Sequence, residues 1–216
     1  MKIGNINWRR TVRGIVAIAC VAALGMAFTT AQPQAARDDR ITPPPVPADL
    51  RVDPPNEVFR LGHGVGTQNY ICVPSGAGVA FQLFTPEATL FSDSGRQLTT
   101  HFFSPNPIEP GVVRATWEDS RDTSMVWAKV TNSSTDARFV NPGAVAWLRL
   151  EVAGAQAGPT GGDRLTRTTF IQRLNTVGGL APSTGCSTPA DIGTKAFVPY
   201  TADYFFYRDA SRHDGR

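Results

Sequence analysis

The feature that most constrains the fold is a two-residue alternation of apolar and polar side chains, which recurs in short segments along most of the chain. In Ala144–Val152, one face is aliphatic and the other carries Trp147, Arg149 and Glu151. In Thr166–Asn175, alternate residues again form one face suited to a core and one more polar face. Side chains of a strand point to opposite faces in turn, whereas a helix repeats every three to four residues. The pattern therefore predicts β-strands.

Two β-hairpins are indicated by polar turns between such segments. The first pairs Ala88–Phe91 with Gln97–Phe103 across a turn that contains Gly95. Glycine supplies the positive φ that a tight turn needs. The second pairs Val112–Glu118 with Ser124–Thr131 across a run of polar residues.

Further short strands are expected because several other segments combine apolar residues with flanking Gly, Pro, Asn or Asp. These segments are Glu57–Leu61, Gln68–Val73, Val79–Phe84, Lys195–Val198 and Tyr204–Tyr207. About ten short strands without an amphipathic helix predict an all-β domain, arranged as an antiparallel sandwich or a barrel.

The first 31 residues have the layout of a secretory signal peptide. Four basic residues and no acidic residue precede an apolar run, Gly14–Phe28, which is followed by the small residues of a cleavage site. This run is shorter than the roughly 20 residues that a membrane span needs. Cys20 lies within it and is interpreted as part of the signal peptide. We therefore expect a periplasmic or extracellular protein that meets a membrane only during export.

Removal of this segment leaves a nearly neutral protein. The chain has 21 Lys and Arg residues and 18 Asp and Glu residues, and four of the basic residues lie in the signal peptide. The basic isoelectric point thus reflects the export segment, and no basic stripe with interleaved aromatic residues occurs elsewhere. Nucleic acid is not an expected partner.

Cys72 and Cys186 are the two cysteines that remain after export, in a compartment where thiols oxidise. We expect a disulfide between them, with two separately buried thiols as the alternative. A bond that closes a loop of this length would stabilise the fold by about 4 to 5 kcal/mol on the chain-entropy model.

The segment between the signal peptide and the strands is rich in proline. Residues 32–56 contain seven prolines and few large apolar residues, which predicts an extended linker or a strap laid over the domain. The β domain is expected at residues 57–208, which is long enough to bury one core. Residues 209–216 are polar and are expected to form a disordered tail.

Six sequence blocks run in order through this domain: Gly62–Val73, Leu98–Pro107, Thr116–Trp127, Pro142–Leu148, Thr168–Cys186 and Val198–Tyr207. Together they resemble the bacterial and fungal family known as domain of unknown function 3455. The resemblance implies an exported domain without an established activity. Some fungal members carry a malate dehydrogenase label, which this sequence does not support. Gly62, Gly64 and Gly66 give only GxGxG followed by Thr67, so the dinucleotide fingerprint is incomplete and no cofactor is expected.

The motifs of common catalytic and metal sites are missing from the sequence. There is no HxH, HExxH or CxxC spacing for a metal and no GxSxG nucleophile. Glu118, Asp119 and Asp122 could supply a carboxylate pair, but they lie in or beside a turn, where Asp commonly binds its own backbone. His63 is interpreted as a hydrogen-bonded loop residue and His101 as a packed strand residue.

The remaining candidates for a site are aromatic, amide and ionisable side chains that could contact a ligand. They are His63, Gln68, Tyr70, His101, Trp117, Trp127, Gln172, Tyr200 and Asp203. Flat rings with a polar edge beside amides suit a sugar or another small polar ligand. The alternative is that the rings are core and the amides tie loops to the backbone. Because Gln172 and Arg173 point to opposite faces of a regular strand, only one of them can belong to a given pocket.

Three classes of function are consistent with these observations. The first is a non-catalytic module that binds a small ligand, a glycan or an envelope component. The second is a hydrolase or lyase that uses His63 or His101 with a carboxylate, which requires both histidines to open into one pocket. The third is a structural or stress-related envelope protein without a pocket, in which the proline-rich segment is a spacer.

Overall fold

The alternating segments form strands that pair with their neighbours in sequence, and the last strand pairs with the first. The computed structural model describes residues 40–211, so the signal peptide, residues 32–39 and most of the polar tail lie outside the described residues. The result is a closed antiparallel barrel of eight strands in the order β1 to β8. The predicted all-β fold is thereby confirmed, with the barrel as its architecture.

The strands are long for a domain of this size, and they are joined by short turns from β1 to β5 and by longer loops from β5 to β8. They are β1 (Asn56–Ser75), β2 (Gly78–Phe91), β3 (Gln97–Pro105), β4 (Val113–Asp119), β5 (Met125–Ser134), β6 (Trp147–Gln156), β7 (Thr168–Gly178) and β8 (Lys195–Asp209). Two short 3₁₀ turns, Ala48–Leu50 and Pro189–Asp191, complete the regular structure of the described residues. Between residues 40 and 211, no helix is long and apolar enough to cross a membrane.

Both predicted hairpins are present, as β2–β3 and β4–β5. Gly95 has φ +75° in the first turn. The count of about ten segments becomes eight strands because β1, β2 and β8 each join two segments that the sequence separates. The three glycines of β1, together with Pro86 and Pro199, interrupt the apolar pattern but not the strand.

The interior of the barrel is filled at one end only. We call the end where β2 turns into β3 the closed end and the end where β1 turns into β2 the open end. Leu90, Val126, Ile171 and Phe206 pack together inside the barrel, and Leu165 from the β6–β7 loop packs against them. All five are fully buried. The closed end is therefore a hydrophobic core.

A second apolar cluster lies on the outside of the barrel. The proline-rich segment, described from residue 40 onward, packs Ile41, Val46 and Leu50 against the outer face. These side chains pack there against Leu174 of β7 and Phe205 of β8. Both faces of these strands are consequently buried, the inner face by the core and the outer face by this segment, which we call the strap (residues 41–52).

The disulfide between Cys72 and Cys186 is confirmed, with Cα atoms 5.5 Å apart. Cys72 lies in β1 near the open end, and Cys186 lies in the loop of residues 179–194 that joins β7 to β8. The bond thus holds this loop against the open end of the barrel.

Candidate functional site

The open end of the barrel contains a cavity of about 500 Å³. A volume of roughly 300 to 1,000 Å³ is typical of small-molecule sites. Its walls are mostly apolar and include Phe103, Ala128, Leu148 and Leu150. Four of the candidate residues also line it, namely Gln68, Tyr70, His101 and Trp117.

Two of the glycines of β1 make room for side chains inside the barrel, beneath this cavity. A Cβ atom on Gly64 would lie 2.8 Å from the ring of Tyr204, and one on Gly62 would lie 3.0 Å from Leu90. The glycines therefore face the barrel interior, and His63 between them faces outward. The GxGxG pattern thus serves side-chain packing within a strand.

Aromatic rings form the floor of the cavity. The ring of His101 stacks on Trp117 with centroids 4.2 Å apart and planes 9° apart. Tyr204 contacts both rings, at centroid distances of 5.3 Å from His101 and 5.8 Å from Trp117. These contacts fix the orientation of the floor and separate the cavity from the core at the closed end.

His101 is held in its neutral form. Burial is the main reason that its pKa falls from 6.5 to about 3, and the charge of Arg173 lowers it further. The hydrogen bond from Nδ1 to the carbonyl oxygen of Thr116, 2.8 Å long, acts in the opposite direction. Because Nδ1 donates to a carbonyl, Nε2 carries no proton and can accept a hydrogen bond.

The three tyrosines at this end are neutral, and the hydroxyl of each forms a hydrogen bond within the protein. The hydroxyl of Tyr70 donates to the carbonyl oxygen of Gly179 at 2.6 Å, and the hydroxyls of Tyr200 and Tyr204 lie 3.0 Å apart. Burial raises the pKa of all three hydroxyls. Tyr200 itself lies in the interior cluster beside the cavity and is 2% exposed.

Arg173 brings a positive charge into the cavity. Its Nη2 donates to the carbonyl oxygen of Ala146 at 2.9 Å, and its Nε is buried without a hydrogen-bond partner. Within residues 40–211, no carboxylate lies within ion-pair distance of its guanidinium. Sequence reasoning had noted Arg173 and selected Gln172 of the same strand as the candidate, so this wall residue was missed.

Gln172 lies on the outer face of β7, beneath the strap. Its Nε2 donates to the carbonyl oxygen of Leu50 at 2.6 Å, and its Oε1 accepts from the hydroxyl of Tyr207 at 2.5 Å. The side chain is buried with both ends paired, which is the arrangement a buried amide requires. Gln172 therefore anchors the strap and does not reach the cavity.

Trp127 also lies on the outer face. Its Nε1 donates to the hydroxyl of Ser104 at 2.8 Å, and that hydroxyl lies 2.8 Å from the hydroxyl of Thr116. The neighbouring Val126 and Ala128 both face the interior. Of the candidates Trp117, Trp127 and Tyr200, only Trp117 lines the cavity.

His63 and Asp203 form a separate cluster on the outer surface. Nδ1 of His63 is 2.7 Å from Asp203, and Nε2 is 2.8 Å from Asp93. Hydrogen bonds to Asp93 and then Asp203 raise the pKa of His63 above 6.5, against the opposing effect of burial. Asn175 donates to the other oxygen of Asp203 at 2.8 Å. Both ring nitrogens of His63 are therefore occupied.

The two histidines lie on opposite faces of the barrel wall, so the joint pocket required for a histidine-dependent hydrolase is not formed. No acidic residue lines the cavity at the open end of the barrel. The turn interpretation of the carboxylates is confirmed, since Asp119 accepts from the backbone of Arg121 at 2.9 Å and Asp122 from that of Ser124 at 3.0 Å. Across residues 40–211, no group of three His, Cys, Asp or Glu residues could hold a metal ion.

Comparison with known proteins gave one finding. A family model described as "Protein of unknown function (DUF3455)" matches residues 54–208, more than half of the chain. All six sequence blocks fall within this match. Neither the curated proteins nor the solved structures gave a match.

Proposed function

The chain belongs to the protein family of unknown function DUF3455, and from its geometry we propose that the barrel binds a small, largely apolar organic ligand in its open end without catalysis. The single observation that carries the proposal is the cavity of about 500 Å³ inside the barrel. Eight-stranded barrels have an interior wide enough to hold one small ligand when side chains do not fill it. Here side chains fill the closed end and leave the open end accessible.

The chemistry of the walls favours binding over catalysis. A hydrolytic site needs a nucleophile or a base with an orienting partner. The cavity lining includes no Ser, Cys, Asp or Glu side chain, and His101 is neutral with Nδ1 committed to the backbone. The apolar walls are instead suited to excluding water from a ligand body.

An apolar rim supports the entry of such a ligand from the open end. Leu83, Val113, Val130 and Leu180 line the mouth and are each at least one third exposed. Contiguous exposed apolar side chains are typical of ligand and interaction sites. A bound ligand that covered them would bury surface that the free protein leaves in water.

The proposed function is tested with phenylnaphthylamine, an uncharged dye that fluoresces in apolar surroundings. We expect saturable binding to the wild-type protein. Ala115→Leu places extra carbon atoms in the cavity wall and is expected to weaken binding about tenfold or more, since it removes ligand volume. Ala80→Leu, on the exposed part of β2, is the matched control and should bind like wild type. Dye binding that is absent, or unchanged in Ala115→Leu, would contradict the proposal.

We further propose that the protein acts outside the cytoplasm, in the periplasm or the extracellular space. The layout of residues 1–31 and the Cys72–Cys186 disulfide support this placement. The test is the mass of the protein recovered from fractionated cells. We expect the recovered protein to lack the first 31 residues and to contain the Cys72–Cys186 disulfide. A full-length cytoplasmic protein with free thiols at Cys72 and Cys186 would overturn the proposed location.

A further inference from the structure

The polar groups of the cavity specify what kind of ligand it takes, and we infer that the ligand is an organic anion, a carboxylate with an acyl or aromatic body, whose headgroup pairs with Arg173. This inference rests on the proposed function and narrows it to one chemical class. Three independent features carry it: an uncompensated charge, a set of unpaired donors, and the distribution of apolar surface.

Among the cationic residues that line the cavity, only Arg173 has no carboxylate partner within residues 40–211. Arg114 at the rim forms a two-bond ion pair with Glu109, at 2.8 and 2.9 Å, and Lys129 lies 3.3 Å from Glu151. The hydrogen bonds from Arg114 and Asn106 hold the pKa of Glu109 at about 2. The rim cations are thus neutralised by the protein, and the one on the inner wall is not.

A guanidinium has five N–H donors in a planar fork that matches the two oxygens of a carboxylate. Nη2 of Arg173 uses one donor on the Ala146 carbonyl, and Nε uses none among the described residues. The Arg173 side chain also interacts with the hydroxyl of Tyr204, and its remaining donors are offered to a ligand in the cavity. Placing a charge in an apolar site without a counter-charge is costly, and a bound anion would offset that cost.

Two further polar atoms of cavity residues that are buried without a partner are also donors. Nε1 of Trp117 and Nε2 of Gln68 are buried without a well-formed hydrogen bond, in residues that are 1% exposed, and Gln68 lies close enough to the Tyr200 hydroxyl to lower the pKa of that hydroxyl. Both residues line the cavity together with Arg173. A ligand group that accepts hydrogen bonds and donates none is the complement of such a set. A carboxylate has this property, whereas an alcohol or amine does not.

The apolar surface indicates where the rest of the ligand lies. Arg173 pairs in register with Leu148 of β6 and Tyr204 of β8, well inside the barrel. The exposed apolar side chains lie outward of it, at the mouth. A headgroup on Arg173 therefore directs an apolar body toward the rim. A sugar fits less well, because its many hydroxyl groups would face aliphatic walls without partners.

The experiment compares ligands that share a body and differ in the headgroup. Displacement of phenylnaphthylamine is measured with decanoate, decanol and decyltrimethylammonium at concentrations below micelle formation, and with naphthoate against naphthalenemethanol. Charged hydrogen bonds contribute about 1.5 to 3 kcal/mol, so we expect the carboxylates to bind roughly 10- to 100-fold more tightly than the alcohols. The quaternary ammonium is expected to bind most weakly.

Two variants assign this preference to the guanidinium. Arg173→Met is expected to remove the advantage of carboxylate over alcohol while leaving alcohol binding within about threefold of wild type. Arg173→Lys keeps the charge and is expected to keep part of the preference. If Arg173→Met does not fold, a reduced preference in Arg173→Lys still tests the role of the guanidinium. Arg138→Met, at an exposed arginine that does not line the cavity, is the matched control and should keep the full preference.

The outcomes separate this inference from the proposed function. If the dye binds but carboxylates bind no better than alcohols, or if their advantage survives in Arg173→Met, the anion inference is overturned and the cavity remains a ligand site. If neither the dye nor any of these compounds binds, the proposed function fails and the inference fails with it.

Discussion

His63 is held between two carboxylates, and its protonated form is the one that can donate to both. Because the pKa of His63 is raised above 6.5 in the folded protein, its contribution to stability is complete below about pH 6.5 and is lost as the pH rises through the folded value. We expect the free energy of unfolding of the wild type, relative to His63→Gln, to decrease as the pH rises above 6.5 and through the raised pKa of His63. Urea titrations at several pH values measure this difference. Both proteins contain His101, so its titration does not affect the difference between them. If the unfolding free energies of the two proteins changed with pH in parallel, the stabilising role of protonated His63 would be contradicted.

Gly66 shows why a glycine is needed within β1. A Cβ atom there would overlap the carbonyl oxygen of Glu87 and lie 2.7 Å from Cβ of Ala88, so the backbone of β2 would have to move. We expect Gly66→Ala to lower the free energy of unfolding by about 1 to 3 kcal/mol, the usual cost of overpacking. Gly78→Ala is the control, since its Cβ would meet only one atom, at 4.0 Å. Equal urea midpoints for the two variants would count against this account.

Which residues form the site could be predicted only in part at this scale. Gln68, Tyr70, His101 and Trp117 were selected for their chemistry, and the cavity contains them. Gln172 and Arg173 show the limit, since alternation establishes that they face opposite ways but not which way is inward. Both faces of β7 are covered, so burial gives no sequence signal that separates them.

At the scale of elements, the strap stabilises the barrel by covering the outer face of β7 and β8. Leu50 is 0% exposed, and its carbonyl oxygen accepts from Gln172. Leu50→Ala should therefore leave a cavity between strap and barrel and lower the free energy of unfolding by about 2 to 5 kcal/mol. Ile192→Ala, at a residue that is 49% exposed, is the control and should change it by less than about 0.5 kcal/mol. A small effect of Leu50→Ala would mean that the strap does not remain bound in solution.

The elements themselves were predictable where the signal is local. Alternation located the strands and polar turns located both hairpins, because side-chain direction and turn geometry depend on neighbours in sequence. The pairing of β1 with β8 was not predictable, since its contacts join residues such as Gly64 and Ala202 that lie far apart in the chain. The choice between sandwich and barrel depends on that one pairing.

For the molecule as a whole, the barrel divides its interior between stability and binding. The closed end is packed with aliphatic and aromatic side chains, and the open end keeps a cavity with a charge on its wall. The strap and the disulfide lie outside the cavity and reinforce the wall that encloses it. Because the closed end, the strap and the disulfide stabilise the fold, the open end can contain a charged side chain that a hydrophobic core would exclude.

The charge on Arg173 should therefore lower the stability of the free protein and support that of the complex. We expect Arg173→Met to raise the free energy of unfolding without ligand by about 1 kcal/mol, because a partly buried, unpaired charge is replaced by an apolar side chain of similar length. The lost hydrogen bond to Ala146 limits the gain.

Saturating decanoate should raise the unfolding temperature of the wild type but change that of Arg173→Met much less, because ligand stabilisation follows affinity. Arg114→Met loses its ion pair with Glu109, so it should gain no stability and should still respond to decanoate. A methionine variant that is less stable than wild type, and equally stabilised by decanoate, would show that Arg173 supports the wall and does not bind the ligand.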